Sequence, residues 1–360
     1  MACSIFAAAQ SRLWIWEKGA AGALPKDQSG VYGTRGTPSS ANIPGSRSGA
    51  TSWTGKSGRF WLFGGSGYDS AAQQGSLNDL WEFDPAANQW TWISGPSTLH
   101  CIPSTGAKSC TQPGVYGKRG VASPANLPGG RSGAAGWVDS SDNLWLFGGS
   151  GFDAHANSGN LNDLWEFSPS TGLWTWIGGA DTLDCTGKAP NLVCGKAGVY
   201  GAEGKPASTN QPGGRTAAVA FGGRNGAAGW VDRQGNFWVY GGYGDDGSGR
   251  QDGLADLWLF RPSTGQWSWQ NGPSAIPCSG DLALAQRCGP LPAYGTDGVP
   301  ALANTPGARF NTNAWIDATG NLWLFGGATQ YMTVNDGDNP PIFWENLYND
   351  TWRYQLAPTP

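Results

Sequence analysis

Hydrophobic and polar positions alternate along this chain in short runs, not at helical spacing, and one set of runs is written four times. The clearest copy, 131–177, holds GAAGWV, NLWLFGG, NDLWEF and LWTWI. Each run is of strand length and is separated from the next by Gly, Asp, Asn, Ser and Pro. The pattern predicts a four-stranded antiparallel meander per copy, in units at about 47–93, 131–177, 224–270 and 309–354. A lone sheet of this kind cannot bury both faces, so the copies are expected to stack. The last copy stops at Tyr354 without its fourth run, and a matching run, LWIWEKG with Trp14 and Trp16, stands at the other end. The expectation is therefore a single unit over 11–356, a closed ring of four blades of four strands. In it, segment 12–18 completes the C-terminal blade and removes the seam. Residues 1–10 read either as a trimmed leader or as a frayed terminus.

The equivalent positions are Arg47, Arg131, Arg224 and Arg309, each six residues before Trp53, Trp137, Trp230 or Trp315. To these are added the Gly-Gly pairs ending at Gly65, Gly149, Gly242 and Gly327, and the third runs NDLWEF, NDLWEF, ADLWLF and NDTWRY. This series resembles the kelch repeat. The longer phrase GVYG, Asn-x-Pro-Gly, Trp, LWLFGG, NDLWEFDP, QWTW is similar to kelch-type repeats of bacterial secreted or surface proteins, often labelled galactose-oxidase-like. The resemblance implies an all-β, kelch-like β-propeller. The repeat steps here, 84, 93 and 85 residues, exceed the about 50 of a kelch unit. A copper oxidase of the kind the label implies needs His and Tyr ligands and a Cys cross-linked to Tyr. The chain has 2 His, His100 and His155, at places that do not correspond, which argues against that chemistry.

Composition narrows the picture. A net charge of -4 and a pI near 5.2 leave no basic footprint for nucleic acid. No apolar run approaches the roughly 18 residues of a membrane span. Of 21 Trp, only Trp344 lies off the repeat. A residue that every copy requires is more simply core between blades than a sugar-stacking platform. Six of the 7 Cys form three close pairs in the connectors: Cys101 with Cys110, Cys185 with Cys194, and Cys278 with Cys288. They predict local disulfides in an oxidising compartment. The chain is thus expected to be secreted or on the cell surface, or else periplasmic. Cys3 has no obvious partner, and no zinc knuckle is present.

Strand direction sends the long connectors and the loops after Gly-Gly to one face, where function on a rigid scaffold tends to sit. Candidate ligand contacts there are Tyr68, Asp69, Phe152, Asp153, Asp245, Asp246 and Trp344. The arginines Arg47, Arg131, Arg224 and Arg309 could line a channel mouth for an anion, or be held by neighbouring carboxylates. Asp69, Asp153 and Asp246 read as turn-forming, with loop Ca²⁺ as the alternative. No cofactor or resident metal is expected. The favoured reading is a binding module without enzymatic activity that recognises a glycan or protein partner. A structural subunit of an extracellular fibre or surface layer, contacting itself, is the alternative, and a carbohydrate-active enzyme is a distant third.

Overall fold

The computed structural model describes residues 14–19, 28–103, 108–187, 193–216, 227–279, 287–333 and 342–356. Among them every regular element is a strand, and all strand pairs are antiparallel. The first unit runs Thr51–Thr54, Phe60–Tyr68, Gln74–Asp84, Gln89–Ser94, each strand paired to the next. The second runs Ala135–Val138, Leu144–Phe147, Leu164–Ser168, Leu173–Gly178. The third runs Ala228–Val231, Phe237–Tyr240, Leu257–Arg261, Gln266–Asn271. The fourth, among the described residues, runs Asn313–Ile316, Leu322–Phe325 and Thr351–Tyr354. All-β meanders in series agree with a β-propeller type of fold.

The Gly-Gly pairs explain themselves in the backbone. Gly148 and Gly149 have φ of 66° and 95°, in the left-handed region that side chains disfavour. A Cβ on Gly148 would lie 2.9 Å from the Arg215 carbonyl oxygen of the next unit. Beyond this kink a small second hairpin, Ser150–Phe152 with Ser158–Asn160, carries the long loop outward.

Units pack face to face through aromatic side chains. Trp81, Trp165 and Trp258 are fully buried, as is Trp174 of the second unit's fourth strand. Trp174 sits edge-on to Phe63 of the preceding unit at 5.3 Å, and Trp267 packs at a tilt against Phe147 at 5.1 Å. The first strands lie side by side in the order one, two, three, four, and among the described residues no comparable contact joins four back to one. Each connector is pinned to the fourth strand of the unit it leads into: Asn126 Nδ2 donates to the Trp174 carbonyl at 3.0 Å, and Gly120 N–H donates to the Trp176 carbonyl at 2.8 Å.

The connector cysteines pair as the sequence predicts. Cys101 is bonded to Cys110, Cys185 to Cys194, and Cys278 to Cys288. In each case the two residues face each other across a short antiparallel hairpin, so the bond closes a loop within one connector and does not join units.

Two expectations change. The expected pairing of the Trp14–Trp16 run with the last strand is not made. Trp14 and Trp16 are solvent-exposed, and Asn88 of the first unit holds the run by donating to the Glu17 carbonyl at 3.1 Å. The third unit also opens earlier than position 224: Arg215 takes the place of Arg131, because the inserted residues fall after the arginine and not before it. Arg224, like residues 1–10 and Cys3, lies outside the described residues.

Candidate interaction site

The repeat arginines are drawn inward by the third strand. Arg131 Nη1 and Nη2 donate to the two oxygens of Asp163 at 2.6 and 2.7 Å, and Nε and Nη1 donate to the carbonyls of Gly129 and Gly148. Tyr116 Oη and Trp165 Nε1 donate to the same carboxylate, each at 2.7 Å. The set repeats as Tyr32–Asp79–Arg47–Trp81, Tyr200–Asp256–Arg215–Trp258 and Tyr294–Asp350–Arg309–Trp352. Burial would raise the Asp79 carboxyl, but the Arg47 charge and the bonds from Arg47, Tyr32 and Trp81 more than offset it and hold it below its usual range. Burial and the adjacent carboxylate push the Tyr32, Tyr116 and Tyr200 phenols far up, so they stay protonated donors. Arg47, Arg131 and Arg309 therefore face the chain's own carboxylates and carbonyls, not a channel.

The loop aspartates are likewise turned inward. Asp153 is buried; one oxygen accepts the His155 and Asn157 N–H groups, both at 2.8 Å, and the other accepts Leu183 N–H from the connector at 2.8 Å. Asp69 and Asp246 do the same with Leu99 and Ile276. Each tips a hairpin and staples it to the connector. Among the described residues no group of three or more His, Cys, Asp or Glu could hold a metal ion. Asp245 stands where the other copies have Tyr68 and Phe152. It is buried, and loss of hydration pushes its carboxyl up to about 7. Tyr68 and Phe152 are half-buried, and the Trp344 side chain lies outside the described residues. His100 and His155 are on the surface.

What stays open is at the ends of the series. The first-strand tryptophans Trp53, Trp137 and Trp230 are 5%, 4% and 6% exposed, each covered by the next unit; Trp315 is 55% exposed. On the opposite side, Leu144, Phe237 and Leu322 are 0%, 0% and 2% exposed, whereas Phe60 of the first unit is 44% exposed. Among the described residues the fourth unit also has no fourth strand. Along its bare edge lies a groove of ≈1070 Å³ lined by Tyr240 and Asn271 of the third unit, Tyr294 and Leu302 of the connector, and Trp352 and Tyr354. Tyr294 is exposed, unlike Tyr32, Tyr116 and Tyr200.

No family model matches the chain, and no curated protein matches it. Among solved structures it is similar to that of YjhT, at 17% identity over 84% of this chain and 86% of the other, with a TM-score of 0.33. It is also similar to a fungal alcohol oxidase in complex with copper, at 14% identity over 80% of this chain, with a TM-score of 0.29. The chain spans about half the oxidase's length, 51%. That neighbour is an enzyme, and on that finding the expectation that the chain is not an enzyme is withdrawn. A likeness of this size transfers no activity to it.

Proposed function

We propose that the chain is an extracellular assembly module, a series of four kelch-like blades whose two end faces meet head to tail between copies. The observation that supports this is the exposure of Trp315 and Phe60, at positions that the other units cover. The faces are complementary by construction, since the interior joints already pair a Trp315-type side with a Phe60-type side. Such a contact is heterologous, and it closes into a larger ring or runs on as a fibre. Covering about half of one Trp removes roughly 100 Å² of apolar surface from water, or about 2.5 kcal/mol at that residue alone. The three disulfides suit an oxidising exterior.

Sedimentation velocity over a concentration series tests this. The wild type should grow in mass with concentration, while Trp315→Glu stays monomeric with an unchanged unfolding midpoint. A wild type that remains monomeric throughout removes the proposal.

A second reading is recognition of a glycan or protein by the loop face, which is supported by the half-buried rings of Tyr68 and Phe152. Glycan-array binding that survives Tyr68→Ala with Phe152→Ala would remove it.

A further inference from the structure

We infer that the Trp14–Gly19 segment of one copy is the missing fourth strand of the fourth unit in the next copy. The inference rests on the head-to-tail reading above and adds the segment that seals the joint.

Both halves of the joint are present and already shaped, and among the described residues they are not paired with each other. Trp14 and Trp16 correspond to Trp174 and Trp176, and Gly19 to Gly179. In each fourth strand the second Trp donates Nε1 two residues on: Trp92 to Ser94 O at 3.0 Å, Trp176 to Gly178 O at 2.7 Å, Trp269 to Asn271 O at 2.8 Å. Trp16 makes the same bond to Lys18 O at 2.9 Å, although it lies in no sheet. The strands then end on a left-handed glycine, with Gly95, Gly179 and Gly272 at φ of 83°, 80° and 86°, and Gly19 at 111°. The segment thus holds the shape of a fourth strand while its indoles face solvent, 103% exposed at Trp14 and 67% at Trp16.

The receiving edge lacks the matching partners. Asn42, Asn126 and Asn210 each give one Nδ2 bond to their own loop and one to a fourth-strand Trp carbonyl. Asn304 keeps the loop bond to Val299 O and, among the described residues, has no second. Gly36, Gly120 and Gly204 donate N–H to the carbonyls of Trp92, Trp176 and Trp269, and among the described residues Gly298 has no such acceptor. By the interior register, Trp14 falls opposite Tyr354 and Trp16 opposite Trp352, as Trp90 does to Phe83 and Trp92 to Trp81. The groove is the vacated indole site. Trp174 packs on Phe63 and donates to Ser94 Oγ at 3.2 Å. The corresponding residues of the third unit, Tyr240 and Asn271, line the groove.

A second copy is the occupant because the strand leaves from the first unit. Lys18 Nζ donates to Ser40 O at 2.6 Å, and Asn88 Nδ2 donates to Glu17 Oε2 at 3.1 Å. Within one chain, no joint between units one and four is made among the described residues. In a head-to-tail contact the next copy's first unit lies against this copy's fourth, which brings its strand to the bare edge. Main-chain bonding to an open edge supplies affinity, and alternate side chains in pockets supply register.

Cysteine trapping tests the pairing. In the interior register Ile15 falls opposite Arg353, as Thr91 does to Glu82, and both residues are exposed. Ile15→Cys on one tagged copy and Arg353→Cys on a differently tagged copy, both with Cys3→Ser, are mixed and mildly oxidised. The expected product is a mixed dimer joined at those two positions, formed only in the mixture. Separately, Trp14→Ala with Trp16→Ala should weaken association at least about thirtyfold without moving the unfolding midpoint. Two results overturn the proposal: a chain carrying both cysteines that closes on itself as a monomer, or an assembling wild type whose cysteines never join. The latter leaves the end-face reading standing, whereas a wild type monomeric at every concentration fells that reading as well.

Discussion

Replacing Asp163 by Asn should cost more than replacing Asp350, although both sit at the same place in the repeat. Asp163 is fully buried and accepts two bonds from Arg131, one from Tyr116 and one from Trp165. Asn keeps the shape but removes the charge, and its amide puts donors where donors already point. The Arg131 guanidinium, 1% exposed, would be left charged and unpaired in the interior. Breaking a buried pair from one side costs about 3–5 kcal/mol. At the fourth unit the Arg309 guanidinium is as buried as that of Arg131, but Asp350 is 14% exposed and Tyr294 is open to water, so solvent can take up part of the lost bonding. There the cost should fall to about 2–3 kcal/mol. Urea unfolding of the non-reduced protein, followed by Trp fluorescence, reads both. Arg131→Met with Asp163→Leu should recover only the part due to the unpaired guanidinium, because Tyr116 Oη and Trp165 Nε1 still lose their acceptor. Equal losses at the two sites would refute the claim that unit four is open, and less than about 1 kcal/mol at Asp163 would refute the cost assigned to its unpaired arginine.

Two further outcomes follow from the same structure. Asp245, pushed up to about 7 by burial, holds its proton in the folded chain at pH values where the unfolded chain has released it. Stability should therefore fall as pH rises from about 4 to about 7 and level off above, by at most about 4 kcal/mol from this residue. Asp252, pushed up to about 6 for the same reason, acts in the same direction. Asp245→Asn should flatten that slope in urea midpoints taken at pH 5 and pH 8, and an unchanged slope would show that Asp245 titrates normally. Removing the second disulfide by Cys185→Ser with Cys194→Ser opens a loop with a sequence separation of 9. It should lower stability by about 2–3 kcal/mol, and a loss below about 0.5 kcal/mol would mean the bond restrains little.

The strand order is legible in the sequence because the period of two and the Gly, Asp and Pro punctuation are local properties. The same holds for Cys101 with Cys110 and Cys278 with Cys288, whose neighbours repeat along with them. Counting back six residues from Trp230 points to Arg224 and misses Arg215. The phrase Asn210-Gln-Pro-Gly-Gly-Arg215 matches Asn126-Leu-Pro-Gly-Gly-Arg131 and is the signal that locates it. The third-strand Asp is harder to see. Its partners Tyr116 and Arg131 lie 47 and 32 residues away in sequence, and nothing in a linear pattern says that three repeated polar positions converge on one carboxylate. The loop aspartates look available for the same reason: only the fold reveals that Leu183 N–H comes back to meet Asp153.

A repeat also cannot say which copy supplies a missing part. Trp14 and Trp16 mark a fourth strand whether it returns to its own chain or crosses to another, because the residues that read it, Asn304 and Gly298, are the same in both cases. The deciding quantity is geometric: whether four units turn far enough for unit one to cover Trp315. A joint covers its inner Trp to about the 4–6% exposure of Trp53, Trp137 and Trp230, and Trp315 at 55% has no such cover. Phe60 at 44% is the other half of the same unmade joint. Two unmet faces and one unmet strand, complementary and at the two ends of the described units, are the observations that support the head-to-tail pairing proposed above.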